Sequence, residues 1–121
     1  MARGRVQVVI SEVIVADDVH TTLQEFGYRV TAVVDSGQEA VERAEDDVPD
    51  LVLIDTDLTG HMDGFETAEK ICSRSNVPIV YLTPRVDRQF TERAKRTVPY
   101  SFVLKPFAED ELESAMQMAV R

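Results

Sequence analysis

Asp55, Thr83 and Lys105 have the types and the placement for anion chemistry. Each closes a short run rich in β-branched, leucine or aromatic residues. Leu51-Val52-Leu53-Ile54 precedes Asp55, Ile79-Val80-Tyr81-Leu82 precedes Thr83, and Tyr100-Ser101-Phe102-Val103-Leu104 precedes Lys105. Short apolar runs bounded by turn residues read as buried strands. Open parallel α/β sheets bind their ligands at the C-terminal rim of the strands. An acid, a hydroxyl and an ammonium at three such rims could meet around one anion.

These rims need a scaffold, and the chain supplies one by alternation. Residues 6–10 read as a strand. Residues 13–26 carry Ile14, Val15, Val19, Leu23 and Phe26 at helical spacing, with Gly27 as the stop. Residues 28–34 read as the second strand. Ser36 and Glu39 form a capping box that opens a helix running to residue 48, stopped by Pro49. Residues 51–54 form the third strand. A helix over 63–74 turns Phe65, Ala68 and Cys72 inward, and Asp63 before Gly64 reads as its N-cap. A strand over 77–82 follows. Val86, Phe90, Ala94 and Val98 step by four and mark a fourth helix, which ends before Pro99. After the strand at 100–104, Leu112, Ala115, Met116 and Ala119 give the last helix one apolar face. Alternation of this kind specifies an α/β fold, a single (βα)₅ domain over residues 1–121 with helices on both faces of a parallel sheet. At this size the flavodoxin-like strand order 2-1-3-4-5 is expected, and its switch point falls beside Asp55.

Composition narrows the function classes. The chain has 121 residues, 44% hydrophobic, which is ample for one core. A formal charge of −9 argues against nucleic acid as a direct ligand, because phosphate neutralisation needs a basic surface. The one cysteine, Cys72, excludes an internal disulfide and fits a reducing compartment. No apolar run approaches the roughly 18 residues that span a bilayer. The expectation is a cytoplasmic protein with no membrane partner.

The chain resembles the receiver domains of two-component response regulators over essentially its whole length. The resemblance rests on Leu53-Ile54-Asp55, Met62-Asp63-Gly64, Leu82-Thr83 and Val103-Leu104-Lys105-Pro106-Phe107, in that order and spacing. It implies a phosphorelay signalling module, not an enzyme. Asp55 would accept a phosphoryl group from a histidine kinase or phosphotransfer protein, and a downstream effector domain or protein would read the result. Thr83 would bond a phosphoryl oxygen, Lys105 would pair with the phosphoryl group, and Phe102 would swing inward as the switch aromatic. Mg²⁺ would be held by Asp55 and by the backbone carbonyl of Asp57. The Lys105–Pro106 bond would be cis. Phosphoryl transfer is mostly positioning and charge neutralisation, which explains these residue types.

Several departures weaken that picture. Receivers carry two acids at the end of the first strand, and this chain has Ile10 and Ser11 there. Asp17 and Asp18 do not replace them, since six residues of helix carry them about 9 Å away. Glu12 is the remaining candidate oxygen donor, with a contribution to the helix dipole as its plainer role. Ser11 reads as a helix cap. Pro84 follows the switch threonine, where the family uses a backbone N–H that proline lacks; it also suits a helix N-terminal turn. Mg²⁺ binding is therefore expected to be weak or absent. His61, in the loop, and His20, on the first helix, read as surface residues.

Two functions remain open. One is a phosphoacceptor switch on Asp55. The other is a phosphorylation-independent pseudo-receiver that works as a protein-interaction module. Arg85, Arg88, Arg93, Lys95 and Arg96 gather around the fourth helix, and Glu109, Asp110, Glu111 and Glu113 open the fifth. Solvated faces explain this, and so does a homodimer through the face of the fourth helix, fifth strand and fifth helix (α4-β5-α5).

Overall fold

A computed structural model describes residues 3–97 and 99–119. The elements are β1 (Arg5–Val9), α1 (Val13–Glu25), β2 (Arg29–Val34), α2 (Gly37–Asp47), β3 (Leu51–Asp55), α3 (Gly64–Cys72), β4 (Ile79–Thr83), α4 (Arg88–Ala94), a 3₁₀ turn at Lys95–Thr97, β5 (Tyr100–Leu104) and α5 (Glu109–Ala119). The strands pair in parallel in the order β2-β1-β3-β4-β5. This is the expected flavodoxin-like sheet.

Side-chain alternation divides the core between the two faces of the sheet. Val6, Val8, Leu51, Leu53, Val80 and Leu82 pack on one face, against Val19 and Leu23 of α1 and Leu112 and Met116 of α5. Val9, Val52, Ile54, Ile79 and Tyr81 pack on the other, against Ala40 of α2, Phe65, Ala68 and Ile71 of α3, and Phe90 and Ala94 of α4. Strands covered on both sides read as continuous apolar runs, which made β3 and β4 legible in the sequence. No helix among the described residues is long and apolar enough to cross a membrane.

Helix starts follow short polar side chains. Ser36, Asp63 and Asp87 each accept a bond from the backbone N–H three residues on. Three local expectations change. Ser11 does not cap α1; the N-cap is Glu12, with no side-chain bond. Ile14 is not on the inner face but 85% exposed, because the stripe that meets the sheet runs through Ala16, Val19 and Leu23. The fourth helix is shorter than its four-residue step suggested. It starts at Arg88 behind the Asp87 cap, so Pro84 lies in the loop before it, and the chain tightens to 3₁₀ after Ala94. Val98 lies outside the described residues.

Two backbone positions stand out. Val48 caps the C-terminus of α2 at φ 45°, a left-handed conformation unfavourable for a β-branched residue. Its carbonyl accepts a bond from Arg5 Nη1 at 3.1 Å while its side chain is exposed. At Gly64, the first residue of α3, a Cβ would collide with the carbonyl oxygen of Asp55 and stand 2.8 Å from Thr56 Cα. The glycine lets α3 abut the end of β3, where its N–H bonds Thr56 O at 3.2 Å.

Val48→Asn keeps a side chain that tolerates the left-handed region, and should raise unfolding stability by roughly 0.5–1 kcal/mol, a fraction of the left-handed penalty. Urea unfolding would measure it, and an unchanged midpoint would refute it. Gly64→Ala should destabilise by about 1–3 kcal/mol through overpacking. It should also displace the backbone NMR resonances of Asp55 and Thr56; a variant with native shifts there would show that the contact is slack.

Candidate functional site

Asp55 ends β3 in the middle of the sheet and is buried, at 3% exposure. A carboxylate so placed needs compensation, and two groups provide it. Lys105 Nζ donates to Oδ2 at 2.8 Å, and the backbone N–H of Asp57 donates to Oδ1 at 2.9 Å. Lys105 follows β5, two strands away, and its ammonium reaches back over β4 to Asp55. Its own N–H bonds Thr83 O at 2.8 Å, and the peptide bond to Pro106 is cis, as the resemblance implied.

Thr83 ends β4 between these two strands and is also buried. Its hydroxyl donates to the carbonyl of Arg85 at 2.9 Å. The structure thus sets acid, hydroxyl and ammonium on three adjacent strand ends, with the acid and ammonium already in contact. Phe102 points outward, 43% exposed, and meets the edge of Phe90 at 5.5 Å between ring centroids. Phe90 also packs on Phe65, Tyr81 and Tyr100. Beneath them, Tyr81 shares a 2.6 Å hydrogen bond with Thr97. Burial, partly offset by that bond, pushes the Tyr81 hydroxyl above its ordinary pKa and keeps its proton in place.

The remaining candidates separate clearly. Asp17, Asp18, Asp57, His61 and Pro84 are exposed, and His20 is half-buried on α1. Pro84 lines a cleft of about 460 Å³ between the loop after β3 and α4, together with Thr83, Arg85 and Asp57. Ile10 belongs to the core, 2% exposed, and its N–H bonds Val34 O at 3.0 Å. The Ser11 hydroxyl donates to the carbonyl of Asp35 at 3.2 Å and accepts from Thr59 N at 3.1 Å. Glu12 is exposed at the start of α1. Burial pushes the Cys72 thiol up, which disfavours the thiolate a nucleophile needs.

Mg²⁺ takes oxygen ligands in a near-ideal octahedron, usually with one or two carboxylates among them. At this rim Asp55 is the buried carboxylate, already bonded through both oxygens. Ile10 supplies no donor, and the Ser11 hydroxyl is committed elsewhere. Among the described residues no three or more His, Cys, Asp or Glu side chains gather closely enough to hold an ion. The donor set is poor in carboxylate for Mg²⁺.

One constellation escaped the sequence reading. Arg93 of α4 forks onto Asp63, with Nη1 to Oδ2 at 2.6 Å and Nη2 to Oδ1 at 3.3 Å. Its guanidinium lies 4.7 Å from the centroid of Phe65. Asp63 meanwhile caps α3 through Glu66 N at 2.9 Å. The side chain read as one of a surface cationic cluster therefore joins α4 to the loop that follows Asp55. Arg93 is thirty residues from Asp63 in sequence, and no local pattern links them.

Comparison with known proteins identifies the family. The model of the response regulator receiver domain matches residues 6–117. The transcriptional regulatory protein PdtaR of Mycobacterium tuberculosis is 36% identical over 116 residues, covering 96% of this chain and 56% of that protein. The chain spans about half the length of the curated relatives it matches. Among solved structures, the signal receiver domain of a modulated diguanylate cyclase from Desulfovibrio desulfuricans G20 superposes with a TM-score of 0.88 at 37% identity, over 97% of this chain and 93% of that one. The Vibrio cholerae chemotaxis protein CheY4 superposes with a TM-score of 0.88 at 26% identity, over 98% of both chains. A buried strand-end aspartate paired with a lysine two strands away, on a β2-β1-β3-β4-β5 sheet matched from residue 6 to residue 117, places this chain in the response regulator receiver domain family.

Proposed function

We propose that the chain is a phosphoacceptor switch in two-component signalling, with Asp55 as acceptor and a weakened Mg²⁺ site. The observation that carries this reading is the Asp55–Lys105 contact of 2.8 Å at a buried rim beside Thr83. A carboxylate oxygen of Asp55 attacks the phosphorus of a phosphohistidine. The P–N bond breaks, and the imidazole leaves with the electron pair. Lys105 pairs with the transferred phosphoryl oxygens, and the Thr83 hydroxyl leaves Arg85 to bond one of them. A histidine kinase or phosphotransfer protein is the donor. The outward face of β5 and α5, where Phe102, Leu104 and Met118 are exposed, meets an effector or a second copy. Of the cations around α4, Arg93 is committed to Asp63, whereas Arg88 and Lys95 have no acidic partner among the described residues and are available to the acids that open α5 of a second copy.

The pseudo-receiver remains the second reading, and specific residues favour it. Ile10 is core, Ser11 is bonded away from the site, and Pro84 has no N–H to offer a phosphoryl oxygen.

Two measurements decide between them. Mg²⁺ titration followed by backbone NMR should give millimolar or weaker affinity. Ser11→Asp should tighten it by on the order of tenfold, since carboxylate charge sets affinity. Sub-millimolar binding to the unaltered protein would overturn the weakened-site reading. Ile10→Glu is the poorer probe, because it buries a carboxylate in the core. In the second measurement, a small phosphodonor should label Asp55 and not Asp17, Asp18 or Asp57. Borohydride reduction and mass spectrometry would map the acyl phosphate. A label undiminished in Asp55→Asn would remove this residue from the mechanism. No label on the unaltered protein, alongside intact partner binding, would select the pseudo-receiver.

A further inference from the structure

We infer that the Ser11 hydroxyl acts as a neutral tie that orders the loop following Asp55 without a divalent ion. This deepens the reading of Asp55 as acceptor on a weakened ion site. Ser11 lies in the loop between β1 and α1, Asp35 between β2 and α2, and Thr59 in the loop between β3 and α3, four residues beyond Asp55. The three loops meet at the switch point of the sheet. One oxygen joins them: Ser11 Oγ donates to Asp35 O at 3.2 Å, accepts Thr59 N–H at 3.1 Å, and accepts the Thr59 hydroxyl at 3.3 Å. A serine hydroxyl has one donor and two acceptor sites. All three are used, so the oxygen has its full complement of protein partners.

The residue type matters here. A carboxylate at position 11 could accept from Thr59 but could not donate to the carbonyl of Asp35. It would set negative charge against that carbonyl and near Asp55, an arrangement that a cation would reconcile. A serine reconciles it alone. The adjoining Ile10 fixes the tie from below, since its side chain is in the core and its N–H holds Val34 O, next to Asp35. Ile10 and Ser11 together thus form a neutral replacement for an ion-bridged rim. Ser11 is a positioning residue and touches no reacting atom.

The test is amide proton exchange at Thr59, read by NMR on the full chain in the presence of a chelator. In the unaltered protein the Thr59 amide should be protected, and added Mg²⁺ should not change its rate. Ser11→Ala should speed exchange at Thr59 by about threefold to tenfold, the factor that one hydrogen bond of ordinary net strength represents. The Ile54 amide within β3 should stay unchanged. Ser11→Thr should restore protection. Ser11→Asp should exchange fast in chelator and slow when Mg²⁺ is added, which a purely structural role for Ser11 would not produce. Thr59 exchange that Mg²⁺ slows in the unaltered protein, or Ser11→Ala at the native rate, overturns the inference. The measurement uses no phosphodonor, so it stands or falls separately from the labelling of Asp55.

Discussion

Burial of the Asp55 carboxylate at the end of the central strand is the constraint that the surrounding structure answers. An isolated ionised carboxylate removed from water is costly by many kcal/mol unless it is paired and hydrogen-bonded. The chain meets that cost from two directions. The loop turns so that the Asp57 N–H faces one oxygen, and β5 delivers Lys105 to the other. Each requirement propagates. Lys105 must leave β5 at the right height, and its N–H is held on Thr83 O. The loop after Asp55 must turn at once, and Gly64 lets α3 press against the strand end to make that turn. Removing one partner of such a pair leaves an uncompensated charge, which is why both residues have to be present together.

Charge bookkeeping at this rim differs from what a cation site needs. A cluster of carboxylates repels itself and is held together by the ion it binds. Here one carboxylate faces one ammonium, and the neighbouring positions are an isoleucine in the core and a serine bonded across two loops. The resting site is close to neutral and internally satisfied. Any oxyanion entering this rim would have to compete with Asp55 for Lys105 and with Arg85 O for the Thr83 hydroxyl. Both exchanges replace existing hydrogen bonds and recruit no idle donors.

Much of this was legible in the sequence because the governing signals are local. Strands β3 and β4 are buried on both faces and appear as unbroken apolar runs, with Asp55 and Thr83 at their ends. Caps such as Ser36 and Asp63 follow from short-range hydrogen bonding. What the sequence hid depends on contacts between distant segments. Ile14 fits a helical period, but only packing against the sheet decides which stripe of α1 faces inward. Ser11 looks like a cap, and its real partners, Asp35 and Thr59, are 24 and 48 residues away. Arg93 reads as one of several surface cations until α4 is laid beside α3. Val48 carries no turn residue's signature, yet it adopts a turn residue's conformation, with Arg5 on its carbonyl.

The clasp between Arg93 and Asp63 bears on how α4 can move at all. Asp63 uses its carboxylate twice, to start α3 and to grip α4. The same arginine lies over Phe65, which leans on Phe90, which in turn carries Phe102 at the outer face. A forked bond and an edge-to-face ring contact both tolerate little sliding, and packed interiors shift between discrete arrangements more readily than they stretch. A small displacement of α4 would therefore be resisted up to the point where the fork opens. Helix α4 is thus latched by one side chain, and any displacement of it has to break the fork and part the ring contacts in the same movement.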